Sequence, residues 1–258
     1  MDFHTKDASP CLEKTHGEEG IIQPRRARKD PLLGPDAVLV MIREDLEGLV
    51  KRRFSGKMSC FDMHVFTLYR EKGGNGLSLS GPFLGAPQAV MAAEKIIALG
   101  AKRLWVLGWC GSLQPDLRIG DIVIPEGALA EEGTSSHYPI GGRAPRTDEQ
   151  LNKCIEEALQ GRKRPFRKGT VWTTDAPYRE VPGKVTAYGA RGVLAVEMEM
   201  SALMTVALFR GVGLAGLLVV SDELHELRWR HGFGDPRLKE GCRLAGDVLV
   251  EMAASLGQ

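Results

Sequence analysis

Two stretches read together decide the fold: Val196-Glu197-Met198-Glu199-Met200-Ser201-Ala202-Leu203, and downstream Leu214-Ala215-Gly216-Leu217-Leu218-Val219-Val220-Ser221-Asp222. From Met200 onward the apolar residues fall at Met200, Leu203, Met204, Ala207 and Leu208, the spacing of an amphipathic helix. That puts Glu199 in the first turn, where the helix dipole and free backbone N–H groups hold a carboxylate ionised. An ionised carboxylate only accepts hydrogen bonds, which suits the vicinal hydroxyls of a sugar. The plainer reading makes Glu197 and Glu199 favourable first-turn charges and nothing more. The second stretch is an apolar run of buried-strand length followed by Asp222, and ligands of α/β sheets collect at the carboxyl ends of strands. Ser221-Asp222 is equally good chemistry for a cap after a strand.

The remaining composition narrows the class. The chain has 258 residues, 43% of them hydrophobic, enough for one large core, and α/β folds of this size are commonly single domains. Thirty-four basic residues against 33 acidic ones give a net charge of +1, so no electrostatic footprint for nucleic acid or an anionic membrane is expected. Cys11, Cys60, Cys110, Cys154 and Cys242 are odd in number and lack paired spacing. They indicate neither a disulfide framework nor a metal site, and they fit a reducing cytoplasm. No run approaches the ~18 apolar residues of a membrane span, and the N-terminus is polar rather than signal-like.

Residues 1–36 are polar and carry Pro10, Pro24, Pro31 and Pro35, which predicts a partly irregular arm ahead of a domain over 37–258. Its basic run Pro24-Arg25-Arg26-Ala27-Arg28-Lys29 is a solvated charge cluster, or else supplies an arginine that folds over an anion site of its own or a neighbouring subunit. Residues 37–42 read as a buried strand and 43–53 as a turn into a helix. Residues 65–70 read as a strand, with Gly73-Gly74-Asn75-Gly76 turning into residues 77–80.

Gly81-Pro82-Phe83-Leu84-Gly85-Ala86-Pro87 then opens a helix over 88–99. Such a turn is either a plain connection or a cradle in which glycine backbone and helix N–H groups approach an anion. Residues 102–107 form the next strand, followed by the small-residue turn Gly108-Trp109-Cys110-Gly111-Ser112 and a strand over 120–125. Trp109 reads as a large apolar filler and Cys110 as a buried small hydrophobe. A helix over 148–159, a strand over 168–175 and a closing amphipathic helix over 236–256 complete the alternation of an α/β chain. On their own residues, His137 is a surface histidine, and Arg179 and Glu180 are an ordinary surface pair.

From about Ala37 to the C-terminus the chain resembles the nucleoside phosphorylase superfamily, which includes purine nucleoside phosphorylase, uridine phosphorylase and methylthioadenosine nucleosidase. Residues 196–203 are similar to that family's ribose-binding segment, and Ser221-Asp222 to the Ser-Asp pair of its purine-cleaving branches. Gly81 to Pro87 stands where the family has a Gly-x-Gly-Gly-Pro-like turn. Gly108 to Leu113 resembles its Gly-x-x-Gly-x-Leu loop, and Glu132-Gly133-Thr134-Ser135-Ser136-His137-Tyr138 a loop of its pyrimidine branch. The chain departs from the pattern at Val106, where many phosphorolytic members carry arginine, and at Trp109, where they carry a small hydroxyl residue. The segment after residue 40 has no Pro-Gly-Asp-Pro-like loop, only Arg43, and the glutamine of uridine cleavers has no counterpart near Thr174.

The resemblance implies a single-domain, three-layer α/β/α fold with a central mixed, twisted sheet. It implies Glu199 and Asp222 as catalytic residues, and Glu199, Met198, Glu197 and His137 around the ribose. Asp222, Tyr138, Arg179 and Thr174 would meet the base, and Gly81, Gly85, Gly108, Gly111, Ser112 and Arg43 the phosphate. The implied reaction is phosphate-dependent cleavage of a nucleoside, a purine one on account of Asp222, to free base and ribose 1-phosphate. It needs no cofactor or metal beyond inorganic phosphate as co-substrate. Uridine phosphorolysis, hydrolytic cleavage of the methylthioadenosine type and nucleoside binding without catalysis are the alternatives. A homo-oligomer of dimers, up to a hexamer, is implied as well, with a partner supplying the missing arginines.

Overall fold

The computed structural model describes residues 20–54, 56–72 and 76–256. Positions 1–19, Ser55, Gly73, Gly74, Asn75 and 257–258 lie outside the described residues, and with them Cys11, most of the expected arm and the first three residues of the expected hairpin turn. Three strands form the spine: β1 (Asp36–Val40), β5 (Arg103–Ser112) and β9 (Gly213–Glu223). β5 pairs in parallel with both of the others. All three are continuous apolar runs because both faces are covered. Leu39, Val106 and Leu218 pack in the cluster shared with α2 (Ala86–Ala98) and α5 (Met200–Arg210). Val40, Leu107 and Val219 pack in the cluster shared with α1 (Arg43–Phe54), α3 (Glu149–Gly161) and α6 (Pro236–Ser255). This is the expected three-layer α/β/α arrangement around a mixed sheet.

The sheet does more than twist. Ten strands run in the order β10-β9-β6-β7-β8-β5-β1-β4-β3-β2, and β9 also bonds β5. β6 is Ile122–Glu131, β7 Phe166–Thr174 and β8 Ala195–Glu197. β5, β9, β6, β7 and β8 therefore close into a ring, while β4 (Ser78–Gly81), β3 (Thr67–Glu71) and β2 (Met58–Asp62) extend the open side. Closure is possible because β5 is long enough to hold β1 on one edge along its first half and β8 on that same edge at Gly111 and Ser112. The right-handed twist of long strands carries β9 around to its other edge. The expected turn over Gly108–Ser112 is thus the last part of β5, with a register shift between Cys110 and Gly111.

Four elements lie outside the periodicity expectations: β2, α4 (Pro182–Ala190), the three-residue β8 and β10 (Arg230–His231). β2 and β10 are edge strands with few buried residues, and α4 buries only Val185. The described part of the arm runs along the far end of the molecule. Leu33 is buried and its N–H bonds Leu99 O at 2.8 Å. Lys95, in the last turn of α2, bonds both Asp30 Oδ2 and Arg25 O at 2.6 Å. The basic run is therefore anchored about 14 Å along α2 from its N-terminus, and it does not fold over its own subunit's glycine turns.

Gly216 is required by the β5–β9 contact, because a Cβ there would sit 2.7 Å from Val106 O and 2.8 Å from Val106 Cβ. Gly216→Ala should lower stability by about 1–3 kcal/mol through forced strand separation, read as a lower urea midpoint with an unchanged slope.

Candidate active site

Glu199 is the N-cap residue of α5, with φ −133°, not a first-turn residue, and its side chain makes no cap hydrogen bond. It crosses instead to the turn between β4 and α2, where Gly85 N–H donates to Oε1 at 2.6 Å. The capping is done by Glu197. Its Oε2 accepts from the N–H groups of Glu199 and Met200 at 2.7 Å each, and the Thr173 hydroxyl donates to Oε1. Both oxygens of Glu197 thus have donors within the fold, so it supports Glu199 rather than reaching a sugar itself. The expectation that Glu199 is held ionised is also corrected. Burial first, and the neighbouring Glu197 second, push its carboxyl well above the ordinary range, because a charge in low dielectric is disfavoured. Met198 is half-buried and turns its thioether towards Gly85, its Cε lying 3.9 Å from where a Cβ on Gly85 would stand.

Asp222 lies inside β9 as its penultimate residue, opposite Gly111. The Ser221 hydroxyl donates to Oδ1 at 2.7 Å and the Trp229 indole N–H to Oδ2 at 3.0 Å. Gly111 is paired with Val196 of β8 on one side and Asp222 of β9 on the other. Two inter-strand spacings put those flanking backbones about 10 Å apart, and Glu199 follows Val196 closely in the chain. A Cβ at Gly111 would come within 2.8 Å of Leu224 Cδ1, 3.0 Å of Asp222 Oδ2 and 3.3 Å of Val196 Cγ1, so the side chains of both flanks close over it and leave no room for another. The buried Cys110 thiol, raised first by burial and then by the negative charges of Asp222 and Glu197, lies beneath both.

A third carboxylate joins them. Glu180 follows a short 3₁₀ turn, Pro177–Arg179, and is pushed up to about 7 by burial and by the charge of Asp222. This corrects the expected surface pair of Arg179 and Glu180, because nothing in Tyr178-Arg179-Glu180 tells from sequence which residue faces inward. Arg179 is the exposed one. Thr174 is buried and its hydroxyl accepts from Ala176 N–H at 3.2 Å, bracing the turn that delivers Glu180.

The expected phosphate ligands are accounted for differently. Gly81 has φ +150°, and a Cβ there would fall 2.1 Å from Val40 O; close packing on β1 is its reason. Gly108 is wedged between Leu218 and Met41. The buried Ser112 hydroxyl donates to Gln114 O at 2.9 Å and accepts from Gln114 N–H at 3.1 Å. Arg43 is exposed and faces Glu47 at 3.8 Å. Val106 is fully buried. The Trp109 indole N–H donates to Asp45 Oδ2 at 2.8 Å and to Cys242 Sγ at 3.1 Å, towards the α1–α6 layer.

Arg118 and Arg230 both pair with buried Glu223, at 2.9 and 3.3 Å. Burial alone would raise Glu223, but Ile119 N–H and these guanidinium groups hold it below the usual range. His137 is exposed. Tyr138 stands edge-on to Phe209 with its hydroxyl on Glu94, on the α2–α5 flank and away from Asp222, and its phenol is pushed up to about 12 by burial and Glu94.

The Glu180 geometry has a pH consequence. A carboxyl raised in the folded state costs stability only when ionised, so the penalty is absent below about pH 4.5 and grows as pH rises through about 7. Glu180→Gln should therefore raise the melting temperature relative to the parent chain at pH 8, with the gain vanishing towards pH 4.5.

The comparisons agree with this architecture. The sequence profile of the Phosphorylase superfamily matches residues 36–249. The DeoD-type purine nucleoside phosphorylase of Caldanaerobacter subterraneus subsp. tengcongensis is 36% identical over 165 residues, covering 63% of this chain and 70% of that protein. That of Bacillus cytotoxicus is 34% identical over 153 residues, 58% of this chain and 65% of the relative. Among solved structures, a purine nucleoside phosphorylase from Toxoplasma gondii in complex with immucillin-H superposes with a TM-score of 0.80 at 21% identity, over 93% of this chain and 98% of that one. A uridine phosphorylase from Vibrio fischeri superposes with a TM-score of 0.77 at 21% identity, over 86% and 93%. At that identity the superpositions establish the fold, whereas the profile match over most of the chain establishes descent: this chain belongs to the phosphorylase superfamily.

Proposed function

We propose that this chain cleaves the N-glycosidic bond of a purine nucleoside with phosphate as acceptor, releasing the base and ribose 1-phosphate. One observation supports the reading: Gly111 of β5 is paired with Val196, three residues before Glu199, on one edge and with Asp222 on the other, two strand spacings or about 10 Å across. Breaking a ribose C1′–N bond gives the sugar oxocarbenium character while negative charge builds on the base. Glu199, fixed through Oε1 by Gly85, offers its remaining acceptor capacity to the 2′- and 3′-hydroxyls. Its raised pKa means that the developing positive sugar favours ionisation at the moment the bond breaks. Met198 packs its polarizable thioether beneath the pentose. Asp222 meets N7 of the leaving purine, and Glu180 beside it disfavours a second negative charge there.

Phosphate serves as co-substrate, without a further cofactor. Among the described residues Arg118 and Arg230 are both paired with Glu223, so the phosphate charge is neutralised by a cation from a second subunit in a homo-oligomer of dimers. The unpaired cysteine set supports a reducing cytoplasm as the setting. A hydrolytic reading is favoured by the side chains that stand where phosphorolytic relatives are expected to carry arginine and a hydroxyl: Val106 is fully buried and the Trp109 indole is engaged by Asp45 and Cys242, so neither offers a phosphate ligand.

Purified protein incubated with inosine, adenosine, methylthioadenosine and uridine, with and without phosphate, separates the readings. Base release that requires phosphate supports phosphorolysis, release indifferent to phosphate supports water as nucleophile, and binding without release supports neither. Glu199→Ala should lower kcat/KM on ribosides by about a hundredfold or more with little change in melting temperature; an equal collapse of stability would make Glu199 a structural residue. Asp222→Asn should cost inosine about a hundredfold but uridine far less, and matched losses would remove its role at the base.

A further inference from the structure

Asp222 already holds an aromatic donor. The hairpin formed by β9 and β10, in which His231 stands opposite Asp222, brings Trp229 back so that its indole N–H bonds Oδ2 at 3.0 Å. Indole is a fused five- and six-membered aromatic ring with an N–H on the smaller ring. A purine protonated at N7 has that same shape and that same donor. We propose that Trp229 occupies the place of the base at Asp222 and competes with it, so that a free purine base in its N7–H form enters by exchanging its own ring N–H for the indole's, whereas an intact nucleoside, whose N7 carries no hydrogen, displaces the indole without replacing that bond. This inference rests on the functional reading above.

The two oxygens of Asp222 are held in different ways. Oδ1 accepts from the buried Ser221 hydroxyl, which belongs to the strand itself. Oδ2 is held by a side chain that is 62% exposed. Trp229 touches His231 at 5.3 Å and Phe233 at 6.0 Å, both tilted or edge-on contacts. Behind it His231 and Phe233 are stacked at 5.6 Å, and Phe233 stacks on Trp109 at 5.7 Å. The indole is therefore tethered at one polar contact and one aromatic edge, beside a shelf of rings that receives it when it leaves Asp222.

Exchange replaces one N–H···carboxylate bond by another, so the bond itself contributes little net affinity, and apparent affinity falls by the fraction of time that the indole holds the site. A pyrimidine leaving group has no imidazole-type nitrogen to take over at Oδ2. Trp229 is thus a specificity-determining residue as well as a competitor.

The test compares the parent chain with Trp229→Phe, which keeps a ring but lacks the N–H, and Trp229→Ala. Hypoxanthine and adenine binding are measured by calorimetry, alongside KM for inosine and the indole N–H resonances of ¹⁵N-labelled protein. Both variants should bind the free purines about three- to tenfold more tightly and lower KM for inosine by a similar factor. In the parent chain the resonance lost in Trp229→Phe should shift when hypoxanthine is added. Variants that match the parent, or bind more weakly, overturn the inference while leaving the functional reading intact, as does a resonance indifferent to saturating base. A parent chain and variants that all neither bind purines nor cleave nucleosides overturn the functional reading and this inference with it.

Discussion

The architecture depends on the last residues of β5 being flanked on both edges. Only where β8 and β9 both bond to Gly111 do an acidic residue arriving from the helix α5 side and another arriving from β9 meet over one patch of the sheet. A single side chain at Gly111 would strike Leu224 at 2.8 Å and Asp222 at 3.0 Å. The glycine is therefore a packing requirement of the site. The five-strand ring follows from the same geometry, since β5 bonds β9 on one edge and β8 on the other while β6 and β7 connect β9 back to β8, a circuit that only a curled sheet can close.

Four carboxylates, Glu180, Glu197, Glu199 and Asp222, gather at that end of the sheet, and burial raises three of them. Such a cluster is held together because half of its oxygens are fixed by donors from the backbone or from hydroxyls: Gly85, Glu199 and Met200 N–H, Thr173 and Ser221. An acidic pocket of low polarity is a poor host for a free anion and a good one for a sugar that becomes cationic as its bond breaks. This contrast favours the glycosidic cleavage reading and also sends the phosphate charge to a cation outside the cluster.

Trp109 links two layers that the helices would otherwise separate. Its indole N–H serves Asp45 of α1 and Cys242 of α6, while its ring stacks on Phe233 of the hairpin that also carries Trp229. Asp45, raised chiefly by burial, faces a cleft of about 220 Å³ between α1 and α6, lined also by Arg52, Lys239 and Arg243. A small residue at 109 would leave Asp45 and Cys242 without the indole donor and Phe233 without its stacking partner.

Local periodicity alone determined the spine of this protein. The apolar runs of β1, β5 and β9 and the helical spacing after Met200 are signals carried within a few consecutive residues; they locate Glu199 before a helix and Asp222 near a strand's end, while the roles expected of the two came from the family resemblance. What only tertiary structure decided are contacts between distant residues. Gly85 meets Glu199 across 114 positions, in a spot where burial and then Glu197 raise its pKa against the opposing Gly85 bond. Glu197 caps a helix that Glu199 was expected to support. Glu180 and Trp229 reach Asp222 from segments with no periodicity to reveal which side chain points inward. The glycines at 81, 108 and 111 follow the same logic: a sequence shows that a side chain is missing, but only the packed chain shows which neighbour fills its place.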